Sequence, residues 1–112
     1  GDHHRNHCNP AMADFSAIPI VKQKTRLVVV DALRPQYDGG PGAKPNAQFD
    51  YHGIIVSRDP VAADYVGLQI IQGRRKEAGL AVIDAAKTAW LQSAQDRGVG
   101  TCDPTRIQLV RI

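Results

Sequence analysis

Gly53-Ile54-Ile55-Val56-Ser57-Arg58-Asp59-Pro60-Val61-Ala62-Ala63-Asp64 is the stretch whose reading decides the fold. Ile54 to Val56 is an apolar, β-branched run, the composition of a buried strand. Asp59 stands where a helix needs a side-chain oxygen to accept its free N–H groups. Pro60, which lacks an N–H, suits the first helical position. A strand running straight into a capped helix is the corner at which open α/β sheets hold ligands. The pattern predicts a helix over residues 60–72. Its apolar residues Val61, Ala62, Ala63, Tyr65, Val66, Leu68, Ile70 and Ile71 lie almost all round, which predicts deep burial.

Upstream, Thr25-Arg26-Leu27-Val28-Val29-Val30-Asp31-Ala32 is the clearest strand, and its unbroken apolar run predicts a central strand covered on both faces. Between the strands, Arg34 to Asp50 holds Pro35, Gly39, Gly40, Pro41, Gly42 and Pro45. It reads as a long loop, of the length that usually binds something or moves. Asn9-Pro10 repeats the cap logic of Asp59-Pro60 and opens a short helix over residues 10–17 that Pro19 ends. Downstream, residues 73–80 read as a basic connection. Ile83, Ala86, Trp90 and Ala94 then make the stripe of a helix over residues 82–96. Arg97-Gly98-Val99-Gly100 ends that helix, and residues 107–110 read as a last strand. The expected order is α-β-loop-β-α-α-β: an α/β fold, a small mixed sheet flanked by helices.

The 112 residues fit a single domain, 1–112, with 43% hydrophobic and only 5% aromatic residues, so aliphatic side chains must build the core. No apolar run approaches the roughly 20 residues of a membrane span. Fourteen Lys and Arg against eleven Asp and Glu give +3. The densest basic run, Arg74-Arg75-Lys76, suits a helix C-terminus better than a nucleic-acid stripe. Cys8 and Cys102 form no C-x-x-C pair, and the sequence leaves open whether they are bridged. The opening Gly1-Asp2-His3-His4, with no initiator Met, reads as the C-terminal part of a longer protein.

Two constellations carry chemistry. Asp31 and Asp59 end the two strands, and neighbouring strands would aim both at one crevice under the Gly39-Gly40 loop, with His52 beside it and Asp64 just inside the helix. Carboxylates at strand ends suit a divalent cation, and glycines let backbone N–H groups approach an anion. The plainer reading makes Asp59 a cap, Asp31 a loop acceptor and Asp64 an acceptor for a neighbouring helix end or the partner of Arg58 or Arg34. The second constellation is His3, His4, His7 and Cys8, whose ligand types suit a transition metal if a turn brings them together. A solvated terminal segment is the plainer reading.

Three segments resemble the bacterial family known as domain of unknown function 362: Leu27-Val28-Val29-Val30-Asp31-Ala32 with Tyr37-Asp38-Gly39-Gly40-Pro41, the stretch from Gly53 to Asp64, and Gly98-Val99-Gly100. Their order matches the family's C-terminal half. The resemblance implies an α/β fold in longer proteins, many with ferredoxin-like cysteine clusters. Two distant cysteines cannot supply a four-cysteine cluster within this chain. Two roles follow as expectations. One is a metal- or redox-associated protein or enzyme with its crevice at the strand ends. The other is a non-catalytic module that docks on a missing N-terminal portion or self-associates, across the helix face carrying Tyr65, Ile70 and Ile71.

Overall fold

The protein's structure, a computed structural model, describes residues 5–40 and 42–112. Its α/β class is the expected one. Helix α1 spans Ala11–Ser16 and α2 Pro19–Lys24, so Pro19 starts a second helix rather than only ending the first. Strands β1 (Val28–Ala32) and β2 (Gly53–Ser57) lead into α3 (Pro60–Glu77), and α4 (Ala89–Asp96) follows a short 3-10 turn. Five residues longer than expected, α3 absorbs Arg74-Arg75-Lys76 as its last turn, where cations complement the helix dipole. Both α3 and α4 close on a left-handed glycine, Gly79 (φ 74°) and Gly98 (φ 71°). In α4 the Gly98 N–H donates to the Gln95 carbonyl and the Val99 N–H to that of Ala94, the paired bonds of a Schellman cap.

The sheet differs from expectation. It is a two-stranded antiparallel hairpin, Val28 facing Ser57 and Ala32 facing Gly53. No strand forms at residues 107–110 among the described residues. The tail Gln108–Ile112 instead lines, together with β2, a gap of about 680 Å³. Nor is β1 covered on both faces. Val28, Val30 and Ala32 turn toward α3, whereas Val29 is 62% exposed, because no layer of the described chain lies on that side.

The hairpin's arm is not structureless either. Past the strands, Tyr51 and His52 both donate to the Leu33 carbonyl, a bulge in which two residues face one. Gln36 then bridges Gln48, and the N–H groups of Tyr37 and Phe49 donate to the carbonyls of Ala47 and Pro35. Gln36 Oε1 accepts from the Lys44 N–H, and Lys44 pairs with Asp38 at 3.0 Å. The described residues of the proline- and glycine-rich stretch thus continue the hairpin.

The core is small. Ala13, Val61, Leu91 and Ala94 form its centre, where α1, the first turn of α3 and α4 meet, with Tyr65, Leu68 and Trp90 packed around it. Among the described residues, only Val61 and Leu91 of the buried hydrophobic set exceed alanine in size. The expected deep burial of α3 holds only for Val61, Ala62 and Ala63, since a two-stranded hairpin and one short helix cannot wrap eighteen residues. The radius of gyration is 14.4 Å, above the roughly 13 Å of a compact chain this long.

Candidate functional site

Antiparallel pairing separates the two carboxylates that the sequence places in one crevice. Asp31 lies opposite Ile54, near the arm end of the hairpin. Asp59 follows Ser57 at the other end, five residues further along, a span of roughly 16 Å in extended chain. Both would end at one crevice only if the strands ran parallel. The arm end therefore holds Asp31, His52 and, beyond them, the Gly39-Gly40 turn, while Asp59 and Asp64 stand together at the α3 end.

At the arm end each group has a structural task. Asp31 Oδ1 accepts from the Leu33 N–H at 2.9 Å, the local loop bond that its residue type favours. His52 takes a left-handed backbone (φ 57°) at the bulge and faces water. Gly39 and Gly40 also have positive φ, 74° and 124°, and make the tip of the arm. Lys44 and, less strongly, Arg75 hold the Asp38 carboxyl below its usual range. The arm is tied to α3 by Arg75, whose Nη1 donates to the Tyr37 carbonyl at 2.9 Å and to Asp38 Oδ1 at 3.3 Å.

The α3 end is built around Asp59. Its Oδ1 accepts from the N–H groups of both Val61 and Ala62 at 2.9 Å, the expected cap. Its Oδ2 accepts from the Thr101 N–H, also at 2.9 Å, forty-two residues away. Gln95 Oε1 steadies the same segment by accepting from the Thr101 hydroxyl and the Cys102 N–H at 2.9 and 2.8 Å. Asp59 is thus both cap and latch. Gly100 lies so close that any Cβ there would run into its carboxylate. Sequence reasoning found the cap through Asp-Pro spacing; the latch has no local signal.

Asp64, one turn further on, pairs with neither Arg58 nor Arg34; Arg34 pairs with Asp50. It has no hydrogen bond or ion pair among the described residues. It borders a cleft of about 70 Å³ with Met12, Ser16, Val61 and Trp90. The residue as a whole stays exposed, yet desolvation by these neighbours raises its carboxyl above the ordinary range.

His3 and His4 lie outside the described residues. His7 and Cys8 share one 3-10 turn, both with positive φ. Among the described residues no three His, Cys, Asp or Glu side chains group closely enough to hold a metal ion. Cys8 and Cys102 are not bridged to each other, and burial pushes the Cys102 thiol up. The two cysteines of this chain cannot by themselves supply a four-cysteine iron–sulfur cluster.

Sequence reasoning missed the outward face of the sheet. Val29 lies directly opposite Val56, and Ile54 is the next residue on that face of β2, at 62%, 58% and 62% exposure. The alternation that separates these from Val28, Val30 and Ile55 is masked in the sequence because both sets are aliphatic.

Neither the curated proteins nor the solved structures contain a match to the chain. A family model described as Domain of unknown function (DUF362) matches residues 1–69. That range takes in both hairpin strands, the arm and the capped start of α3, and leaves the Gly98-Val99-Gly100 turn outside it. With more than half its length matched, from the first strand through the Asp59-Pro60 corner, the chain belongs to the DUF362 family.

Proposed function

We propose that this DUF362 domain is an interaction module whose outward sheet face docks a further layer of the same polypeptide. The observation that carries the reading is the uncovered row of Val29, Ile54 and Val56, with Leu27 (57% exposed) leading into it. These side chains form one small apolar patch, the kind of surface that on monomers tends to be functional. Four side chains make a face well short of the roughly 1,200–2,000 Å² that specific complexes of free proteins bury. A tether removes most of the association cost, so a face this size suits a layer linked to it covalently. The expected face of Tyr65, Ile70 and Ile71 is less suited, since all three are half-buried. A metal- or redox-linked role, implied by the family resemblance, would reside on the added layer.

Sedimentation of the 112-residue chain, with binding of the uncharged dye Nile red, tests the proposal. Expected are dye binding and weak, reversible association at high micromolar concentration, both reduced by Val56→Lys. A clean monomer that binds no dye would overturn the reading. So would a dimer that persists at nanomolar concentration, because the occupant would then be a second copy.

A further inference from the structure

Between α3, the aromatic residues of the arm and the C-terminal tail lies a cavity of about 540 Å³. Phe49, Tyr51 and Tyr65 line it with aromatic surface, and Arg74, Glu77 and Arg111 supply its charges. The volume falls within the roughly 300–1,000 Å³ of small-molecule sites, which combine apolar walls with a few placed polar groups.

The adjacent arginines of α3 have different tasks. Arg75 is a fastener: besides Tyr37 and Asp38 it donates through Nε to the Ala81 carbonyl at 3.0 Å, and its side chain is only 17% exposed. Arg74 is far less engaged. Its guanidinium stacks over Tyr37 and Phe49, 5.2 and 5.9 Å from the ring centroids. Its Nε is buried without an acceptor. Among the described residues its one anionic partner is Glu77, 3.2 Å from Nη1 and itself 70% exposed. An ion pair so open to water holds its members loosely, and an incompletely bonded cation against aromatic walls favours an anion that also stacks. Arg111 adds a second positive charge to the lining.

We infer that this cavity binds a small planar aromatic anion, its ring against Phe49, Tyr51 and Tyr65 and its charged group displacing Glu77 from Arg74. The probe for the test is 2-naphthoate, compared with neutral 2-naphthol and with inorganic phosphate on the full 112-residue chain. In calorimetry 2-naphthoate should bind at least about tenfold more tightly than either comparison compound, the scale of one charge-assisted hydrogen bond. In amide chemical-shift mapping it should move Tyr65, Gly73 and Arg74. Arg74→Gln should cost about tenfold in affinity. Arg111→Gln, at an exposed tail position that leaves the fold alone, should cost severalfold, whereas Val56→Lys should change nothing. Equal binding of 2-naphthol, shifts confined to Val29, Ile54 and Val56, or full affinity in both arginine variants would overturn the assignment.

Discussion

The two sides of the hairpin are built to opposite standards. At the α3 end, Asp59 accepts three N–H donors, Gln95 accepts one more and the Thr101 hydroxyl, and Val61 and Leu91 are buried beside them. On the outward sheet face, three large aliphatic side chains stand together in water. The matched polar groups make the α3 end complete within this chain, while the apolar face is stable only at the cost of leaving surface wet. Stability should therefore respond steeply at the first region and hardly at all at the second.

The steepest response is expected at Leu91, where Leu91→Ala empties part of a core that holds only one other buried residue larger than alanine. A loss of about 3 kcal/mol in denaturant unfolding is expected. A loss under about 1 kcal/mol would mean that the α3 end collapses around the cavity and is less rigid than its hydrogen bonds suggest. Gly100→Ala comes next. Its methyl would push the Asp59 carboxylate off its three donors, costing about 2 kcal/mol, and a neutral result would show the latch to be dispensable.

Replacing Asp59 itself separates cap from latch. Asp59→Ala loses both and should cost about 2 kcal/mol. Asp59→Asn keeps an acceptor for Val61 and Ala62 but turns an amide toward the Thr101 N–H, so about 1 kcal/mol is expected. Equal losses would place most of the energy in the latch. At the other extreme, Ile54→Ala should change stability by less than about 0.5 kcal/mol; a core-sized loss would mean that the outward face is already covered.

The smallest effect concerns Asp64. Burial raises its carboxyl above the ordinary value of 3.8, so the folded state holds the proton more firmly than the unfolded one. Its contribution is therefore fully present below pH 3.8 and falls as pH climbs through the folded value. Asp64→Asn should accordingly raise the melting temperature slightly at neutral pH and not at about pH 3. The same change at both values would show that the carboxylate's charge is not what the site resists.

Much of the local structure was legible from residues. Asp59-Pro60 announced the α3 cap, Gly98 the end of α4, and the two aliphatic runs the strands, because each depends on neighbours a few positions away. The family likeness was carried by the same short segments. What failed was pairing. An aliphatic run gives no sign of strand direction or of which face is covered, so Asp31 and Asp59 were expected to meet and Val29 to be buried.

The sequence by itself therefore determined the Asp59 cap, the Gly98 end of α4 and the two hairpin strands, since those choices rest on side-chain oxygens, prolines and glycines acting within a few residues; the like cap expected at Asn9 does not form, nor does the strand expected at residues 107–110. Only the tertiary structure decided that the strands run antiparallel, that Thr101 closes on Asp59, that Arg75 fastens the arm while Arg74 faces a cavity, and that one sheet face stays bare. These contacts join residues dozens of positions apart. Their energies depend on what the whole chain can bring together, which no local pattern records.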